Sequence, residues 1–159
     1  MQPPRIRAAG EADVGAILDL VGELGRPARS DSPPPVRDAA AAILSRPDTA
    51  VLVAERSGRP IGLACVLTLP RLGHASPEAR LLDLIVTDRS QAAGVGRQLV
   101  EEVVRRAARS GCHLLRLECG HRRESQGFYR CLGFESRGED WQLPIGPSGA
   151  ERSGSRTAG

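Results

Sequence analysis

Apolar residues recur along this chain with two different spacings, which divide it into predicted strands and helices. Apolar runs, several of them alternating with polar residues, predict strands over residues 5–9, 49–55, 61–69, 80–86 and 113–119, with one or two more within 134–145. Apolar residues three and four positions apart predict helices over residues 11–24, 36–45, 95–107 and 126–132. A short Ser-Gly turn separates the second and third runs, as is typical of an antiparallel hairpin.

The order of these elements is β-α-α-β-β-β-α-β-α-β-(β), which predicts an α/β (α+β) fold. Consecutive strands followed by a β-α-β unit indicate a mixed, mostly antiparallel central sheet of six or seven strands flanked by about four helices. A chain of 159 residues suits one hydrophobic core, so residues 1–146 are predicted to form a single domain. Residues 147–159 are rich in Gly, Ser and Arg without periodicity and predict a disordered tail.

Two of these elements are unusually well defined. Residues 80–86 are almost entirely apolar, as expected of a central strand buried on both faces, and Asp83 is the exception. The helix that follows is strongly amphipathic, with Arg and Glu on its outer face. Its predicted buried face consists of Val95, Leu99, Val100, Val103, Val104 and Ala107.

Charge and hydropathy exclude several classes of function. All 22 basic residues are Arg, and they are interspersed with 19 acidic residues to leave a net charge of only +3, so no basic patch predicts nucleic-acid binding. No apolar run is long enough for a membrane-spanning helix, and the charged N-terminus does not resemble a secretory signal. We therefore expect a cytoplasmic protein with no nucleic-acid or membrane partner.

The four cysteines do not predict a metal site. Cys65, Cys112, Cys119 and Cys131 form no Cys-x-x-Cys pair, and no His lies at zinc-finger spacing from two of them. Buried reduced thiols are the expectation, and we predict no bound metal.

A glycine-containing turn between the buried strand and the amphipathic helix is the candidate binding element. Gly94 and Gly96 lie where unpaired backbone N–H groups and the helix dipole attract an anion such as phosphate. The segment does not match the dinucleotide-binding fingerprint, because Leu99 stands where a third Gly is needed. It does not match a P-loop either, because the chain has no Lys. Spacing alone leaves two interpretations open, an anion site or a tight turn with incidental glycines.

Three motifs in this chain resemble those of the Gcn5-related N-acetyltransferase (GNAT) superfamily. They occur in the family's order and at its separations, and the resemblance is strong over residues 79–134. The motifs are Leu84-Ile85-Val86, the Gln-x-x-Gly-x-Gly element from Gln91 to Gly96, and Phe128-Tyr129-x-x-x-Gly133-Phe134.

The resemblance implies that acetyl-CoA binds at the glycine turn as the acetyl donor. Backbone N–H groups of residues 92–97 would hold the pyrophosphate. The pantetheine arm would follow the edge of the strand at residues 84–86, where the next strand diverges. The residues assigned to the donor in this way are Leu84, Ile85, Val86, Gln91, Ala92, Ala93, Gly94, Val95, Gly96, Arg97 and Arg122. The arginines available to the 3′-phosphate are Arg89, Arg97, Arg122 and Arg130.

Catalytic roles also follow from the resemblance. Tyr129, the only tyrosine, falls at the family's general-acid position, and a backbone N–H near Val86 would stabilise the oxyanion. The general base stays open between Asp83, Glu118 and a chain of water molecules. One departure from the family pattern concerns Arg122, which stands where many members place an Asn that contacts the donor.

The function implied is an acetyl-CoA-dependent N-acetyltransferase that acts on a primary amine by direct attack on the thioester. A small-molecule acceptor fits this minimal chain best. The alternatives are a protein or peptide N-acetyltransferase and a non-catalytic acyl-CoA-binding module. Because GNAT proteins often dimerise, a homodimer is also an expectation.

Overall fold

The structure is a computed structural model that describes residues 3–87, 93–119 and 123–137. These residues fall into two compact units, of which the first ends at Glu118 and the second begins at Cys119. The prediction of a single domain over residues 1–146 stays a prediction, and residues 147–159 lie outside the described part of the chain.

Five strands of the first unit form one sheet in the order β1-β2-β3-β4-β5. The strands are β1 (Arg5–Ala8), β2 (Thr49–Arg56), β3 (Arg59–Leu69), β4 (Glu78–Val86) and β5 (Leu114–Leu117). The first four are antiparallel to their neighbours, whereas β4 and β5 pair in parallel. The predicted mixed, mostly antiparallel sheet is confirmed with five strands in the described residues instead of six or seven. The predicted hairpin is confirmed as β2 and β3.

Four helices are found among the described residues, in the predicted order. They are α1 (Val14–Glu23), α2 (Pro34–Leu44), α3 (Val95–Arg109) and, in the second unit, α4 (Arg123–Cys131). A 3-10 turn at Glu11–Asp13 precedes α1, where the apolar spacing had predicted continuous helix.

The helices of the first unit cover both faces of the sheet. Ile17 and Leu20 of α1 pack on one face against side chains of β2, β3 and β4. The long helix α3 lies on the other face, where Leu99 approaches Gly62 of β3. The predicted buried face of α3 is confirmed except at Val104, which is 47% exposed.

Strand β4 is not buried on both faces, contrary to the prediction. Its ladder with β3 is irregular, because Cys65 pairs with Asp83 and Val66 pairs with Leu81, so that Leu82 is an extra residue in a β-bulge. Leu82 is 48% exposed. A bulge interrupts the regular alternation of a strand, and its position depends on the partner strand.

The start of β4 is fastened to β5 by a buried carboxylate. Glu78 is 5% exposed. It accepts a hydrogen bond of 3.1 Å from Arg116 and lies 3.4 Å from Arg71. Burial raises the pKa of Glu78, but the hydrogen bond and the charges of Arg116, Arg71 and His113 outweigh it, so the net pKa is lowered. The ion pair with Arg116 thus joins the two parallel strands at this end of the sheet.

In the second unit, an aromatic cluster accompanies α4. The ring of Tyr129 packs edge-on against Phe128 and Phe134, with centroid distances of 5.1 and 5.6 Å. Residues 134–137 are not in a strand, and the rest of the predicted C-terminal strand region lies outside the described residues.

The cysteines are only partly as predicted. Of the four, Cys65 alone is buried, whereas Cys112 and Cys119 are half-buried and Cys131 is exposed. Within the described ranges, none of the helices is both long and apolar enough to cross a membrane.

Candidate active site

The edge of β4 opens part-way along the strand. Its ladder with β5 runs from Glu78 opposite Leu114 to Leu81 opposite Leu117 and ends there. Beyond that point, residues 83–86 of β4 continue to pair with β3 on the other side. In the described chain, residues 82–85 therefore have no ladder partner in β5. The divergence predicted for residues 84–86 corresponds to this change in pairing.

The helix α3 begins a few residues after β4 ends. Gly94 caps it with φ of +71°, a left-handed conformation that glycine adopts without the steric cost of a Cβ. Ala93 and Gly94 are exposed, whereas Val95 and Gly96 are buried in the first turn. The backbone N–H groups at this end have no acceptors within the helix, and the dipole adds positive potential. This turn can hold an anion.

One arginine strengthens the positive potential at this end. Arg97 is exposed in the first turn of α3, and among the described residues it makes no hydrogen bond or ion pair. A guanidinium group in this position is available to a phosphate group.

A glycine on β3 sets how closely α3 approaches the sheet. Gly62 lies opposite Val86 in the β3–β4 ladder. A Cβ at Gly62 would lie 2.9 Å from the Ile85 carbonyl oxygen and 3.3 Å from Cδ1 of Leu99. The absence of that atom lets Leu99 of α3 pack closely against β3 and the end of β4.

Asp83, a predicted base, points towards α1. Residues that face each other across an antiparallel ladder share a face of the sheet, and Asp83 is opposite Cys65 in the core against α1. One carboxylate oxygen, Oδ1, accepts a hydrogen bond of 2.7 Å from Arg26, which lies between α1 and α2. The ion pair leaves Oδ2 of Asp83 without a hydrogen bond in the described residues.

Glu118, the other predicted base, follows β5 on its exposed face. The predicted alternation is confirmed there, because Leu115, Leu117 and Cys119 are half-buried and Glu118 is exposed. Glu118 makes no hydrogen bond or ion pair within the described chain. It is accessible to solvent as a proton acceptor.

Tyr129 is enclosed by its aromatic neighbours in the second unit. Burial raises the pKa of its phenol, and the charge of Cys119 raises it further. The phenol therefore stays protonated at neutral pH, as a general acid must be. Of the other predicted residues, Arg89, Gln91, Ala92 and Arg122 lie outside the described residues.

The match to a family model is consistent with this geometry. Residues 16–134 match the model of the acetyltransferase (GNAT) family. The chain belongs to the GNAT family. It is accordingly an N-acetyltransferase, a member of a family whose enzymes generally use acetyl-CoA and act on amine acceptors.

Individual relatives align with nearly the whole of this GNAT chain. A protein of Azospirillum brasilense named IAA acetyltransferase is 28% identical over 156 residues, which are 93% of each chain. A proposed acetyltransferase of Agrobacterium tumefaciens str. C58 has a similar structure, with a TM-score of 0.82, 26% identity and coverage of 89% of this chain and 99% of its own.

A more distant neighbour shares the fold. An aminoglycoside acetyltransferase from an uncultured soil metagenomic sample, solved in complex with sisomicin, has a TM-score of 0.77 and 16% identity. The alignment covers 90% of this GNAT chain and 97% of the other.

Arg26, the partner of Asp83, is a residue that the sequence did not single out. It follows a helix in a Gly-Arg-Pro segment and reads as an ordinary turn residue. No local pattern connects it with Asp83, which is 57 positions further along the chain. A separate surface cavity of about 450 Å³ is lined by residues 9–11 and by α2, and none of its lining residues belongs to β4 or α3.

Proposed function

We propose that this GNAT protein transfers the acetyl group of acetyl-CoA to the primary amine of a small molecule. The observation that carries the proposal is the open edge of β4 beside the left-handed turn at Gly94. An open strand edge offers hydrogen-bonding groups to an extended pantetheine arm, and the turn offers N–H groups to the pyrophosphate. Together they would bind an extended chain along the strand edge and an anionic group at the turn.

The residues present fit acetyl-CoA at each point that the structure describes. Ala93 and Gly94 leave the turn exposed, and Arg97 adds a guanidinium group that has no described partner. Leu84 and Ile85 lie on the part of β4 that β5 does not cover. When bound, acetyl-CoA supplies a thioester carbonyl that an amine can attack.

The acceptor must lose a proton before it attacks. At neutral pH, deprotonating an alkyl amine with a pKa near that of Lys costs about 4–5 kcal/mol. Asp83, Glu118 or a chain of water molecules would accept that proton. A new C–N bond then forms as the C–S bond breaks. The nitrogen loses its second proton and the leaving thiolate takes one, so that the products are the amide and the free thiol of CoA.

Tyr129 is the proposed donor of the proton to sulfur. Its phenol remains protonated because of its burial and the nearby Cys119. A backbone N–H of residues 84–86 is the proposed donor to the oxyanion. Val86 is the member of this segment that the family resemblance favours.

One comparison favours a small molecule as the acceptor. A protein of the same fold accommodates sisomicin, a small amine-containing ligand.

Calorimetric titration with acetyl-CoA tests the donor site. We expect micromolar binding by the wild-type protein and a large loss in Gly94→Gln, whose side chain would cover the turn. The matched control is Gly111→Gln at the other end of α3. Gly111 has φ of +74° against +71° at Gly94, and neither position has an atom within 4 Å of an added Cβ.

The control separates backbone strain from ligand blocking. Both variants place a side chain in the left-handed region, so both should lose similar stability. Only Gly94→Gln should lose acetyl-CoA affinity. A folded wild-type protein that does not bind acetyl-CoA, or equal affinity in the two variants, would overturn the proposed donor site.

A further inference from the structure

The β-bulge places one carboxylate at the point where the edge of β4 opens. Leu81 is the last residue of β4 in ladder with β5, and Leu82 is the bulged residue. Asp83 comes immediately afterwards and shares a face with Cys65 and the core against α1. Its side chain is 23% exposed, so a ligand at the opening can reach it.

The partner of this carboxylate is held on a firmly anchored segment. Ala28 is buried against Val14 and Leu18, and the N–H of Ala28 donates to the carbonyl oxygen of Arg26 at 2.8 Å. Gly22 allows this arrangement, because a Cβ there would overlap the carbonyl oxygen of Ala28. The backbone of Arg26 is therefore fixed while its side chain remains 54% exposed.

The ion pair has unused hydrogen-bonding capacity on both sides. The contact joins one nitrogen of Arg26 to Oδ1 of Asp83 at 2.7 Å. In the described residues, Oδ2 of Asp83 and the other N–H groups of Arg26 have no partner. An exposed pair of this kind contributes little to stability. It can, however, bind a ligand that carries both charges.

The opposite charges of Asp83 and Arg26 favour a ligand that carries both charges. A monoamine cation beside Asp83 would also lie beside the guanidinium group of Arg26, and like charges repel. A molecule with an ammonium group and a carboxylate can place the first on Asp83 and the second on Arg26, so that opposite charges alternate. Arg is well suited to a carboxylate because its forked donors match the two oxygens.

We propose that the acceptor is a short amino acid, whose carboxylate binds Arg26 and whose amine is positioned by Asp83. This inference rests on the proposed acetyltransferase function and specifies the substrate class of the same site. Arg26 is thus a specificity-determining residue. The same repulsion should make polyamines and cationic sugars weaker acceptors than short amino acids.

Matched pairs of acceptors provide the test. Initial rates are measured with acetyl-CoA and glycine, β-alanine or γ-aminobutyrate, each against its own carboxamide. The amide leaves the amine in place but removes the negative charge. We expect kcat/KM to be about 10- to 100-fold higher for the carboxylates, as for the loss of a charge-assisted hydrogen bond.

Variants connect that preference to Arg26. Arg26→Gln should abolish the preference for carboxylates, Arg26→Lys should retain part of it, and Asp83→Asn should weaken all amines by a similar factor. Arg29→Gln is the control, because Arg29 lies on the same segment and its side chain makes no hydrogen bond or ion pair in the described chain. Calorimetric binding of each acceptor to protein saturated with CoA should show the same pattern without turnover.

The outcomes distinguish this inference from the proposed function. Acetyl-CoA binding and amine turnover without a preference for carboxylates, or a preference that survives in Arg26→Gln, would overturn the inference alone. Turnover of none of the amines by a protein that binds acetyl-CoA would overturn the acceptor class. Failure to bind acetyl-CoA would overturn the proposed function and the inference together.

Discussion

A single phenol carries the proposed proton transfer to the leaving sulfur. Tyr129 is packed between Phe128 and Phe134, and its burial keeps the proton on the oxygen. At the residue scale, the raised pKa suits a phenol that stays protonated until it donates to the sulfur.

The variant Tyr129→Phe should keep acetyl-CoA binding and lose about 10- to 1000-fold in kcat, because it removes only the transferable proton. In the wild-type protein, the phenol pKa is raised above its ordinary value of about 10, so activity should not fall through phenol ionisation below about pH 10. Steady-state rates and calorimetry measure both effects. Unchanged kcat in the variant would remove Tyr129 from the mechanism.

The buried thiol of Cys65 leads to a separate prediction about how stability depends on pH. Burial raises its pKa to about 11, with a further contribution from the charge of Asp83. The unfolded thiol ionises near pH 9, so the stability due to the protonated thiol is complete below that pH and is lost as the pH rises towards 11. The loss should be about 2–3 kcal/mol in the free energy of unfolding.

Urea unfolding of the wild-type protein and Cys65→Ala at a series of alkaline pH values measures this loss. Cys65→Ala has no thiol to titrate and should show a shallower decline. Below about pH 8 the two curves should run parallel. Parallel curves up to pH 11 would show that Cys65 is not protected from ionisation.

At the scale of elements, the site depends on how closely α3 lies on β4. Gly62 allows that approach, and the ion pair of Glu78 with Arg116 joins β4 to β5 at the other end of the strand. Between these two points the β4–β5 ladder ends. The opening is thus bounded by contacts among four elements, β3, β4, β5 and α3.

Gly62→Ala should push α3 away from the end of β4 and lower the free energy of unfolding by about 1–3 kcal/mol, as overpacking does. Acetyl-CoA affinity should fall with it. Gly15→Ala is the control, because an added Cβ on α1 would meet Ser30 Cβ at an ordinary 3.5 Å. Urea midpoints and calorimetry compare the two variants, and equal stability in both would contradict the role of Gly62.

At the scale of the whole molecule, the composition of the C-terminal residues suggests that they add nothing to the fold. Residues 147–159 contain no hydrophobic periodicity, and we propose that the folded domain ends near residue 146. The family match, over residues 16–134, lies within this boundary.

A chain that ends at Gly146 should therefore unfold within about 0.5 kcal/mol of the full-length protein and bind acetyl-CoA equally well. Thermal and urea unfolding measure the first quantity, and calorimetry the second. A truncated protein that loses either property would place part of the domain beyond residue 146.

The order of elements and the amphipathic face of α3 could be predicted because both depend on local periodicity. The turn at Gly94 could be predicted from residue type, because glycine lacks a Cβ and adopts the left-handed conformation without steric cost. The exposure of Leu82 and Val104 was not, because it depends on which neighbouring element covers each position.

The sequence by itself determined the α/β order, the hairpin and the glycine turn. Apolar residues spaced three to four positions apart mark a helix and those spaced two apart mark a strand, and glycine marks the turn, so each feature depends on one short segment of the chain. Tertiary structure alone decided where β5 leaves β4, which way Asp83 points after the bulge, and that Arg26 meets it. A bulge reverses the facing of every later residue in its strand, and an ion pair between distant segments leaves no mark on local spacing. The chemistry of the acceptor side therefore depends on contacts that only the folded chain brings together.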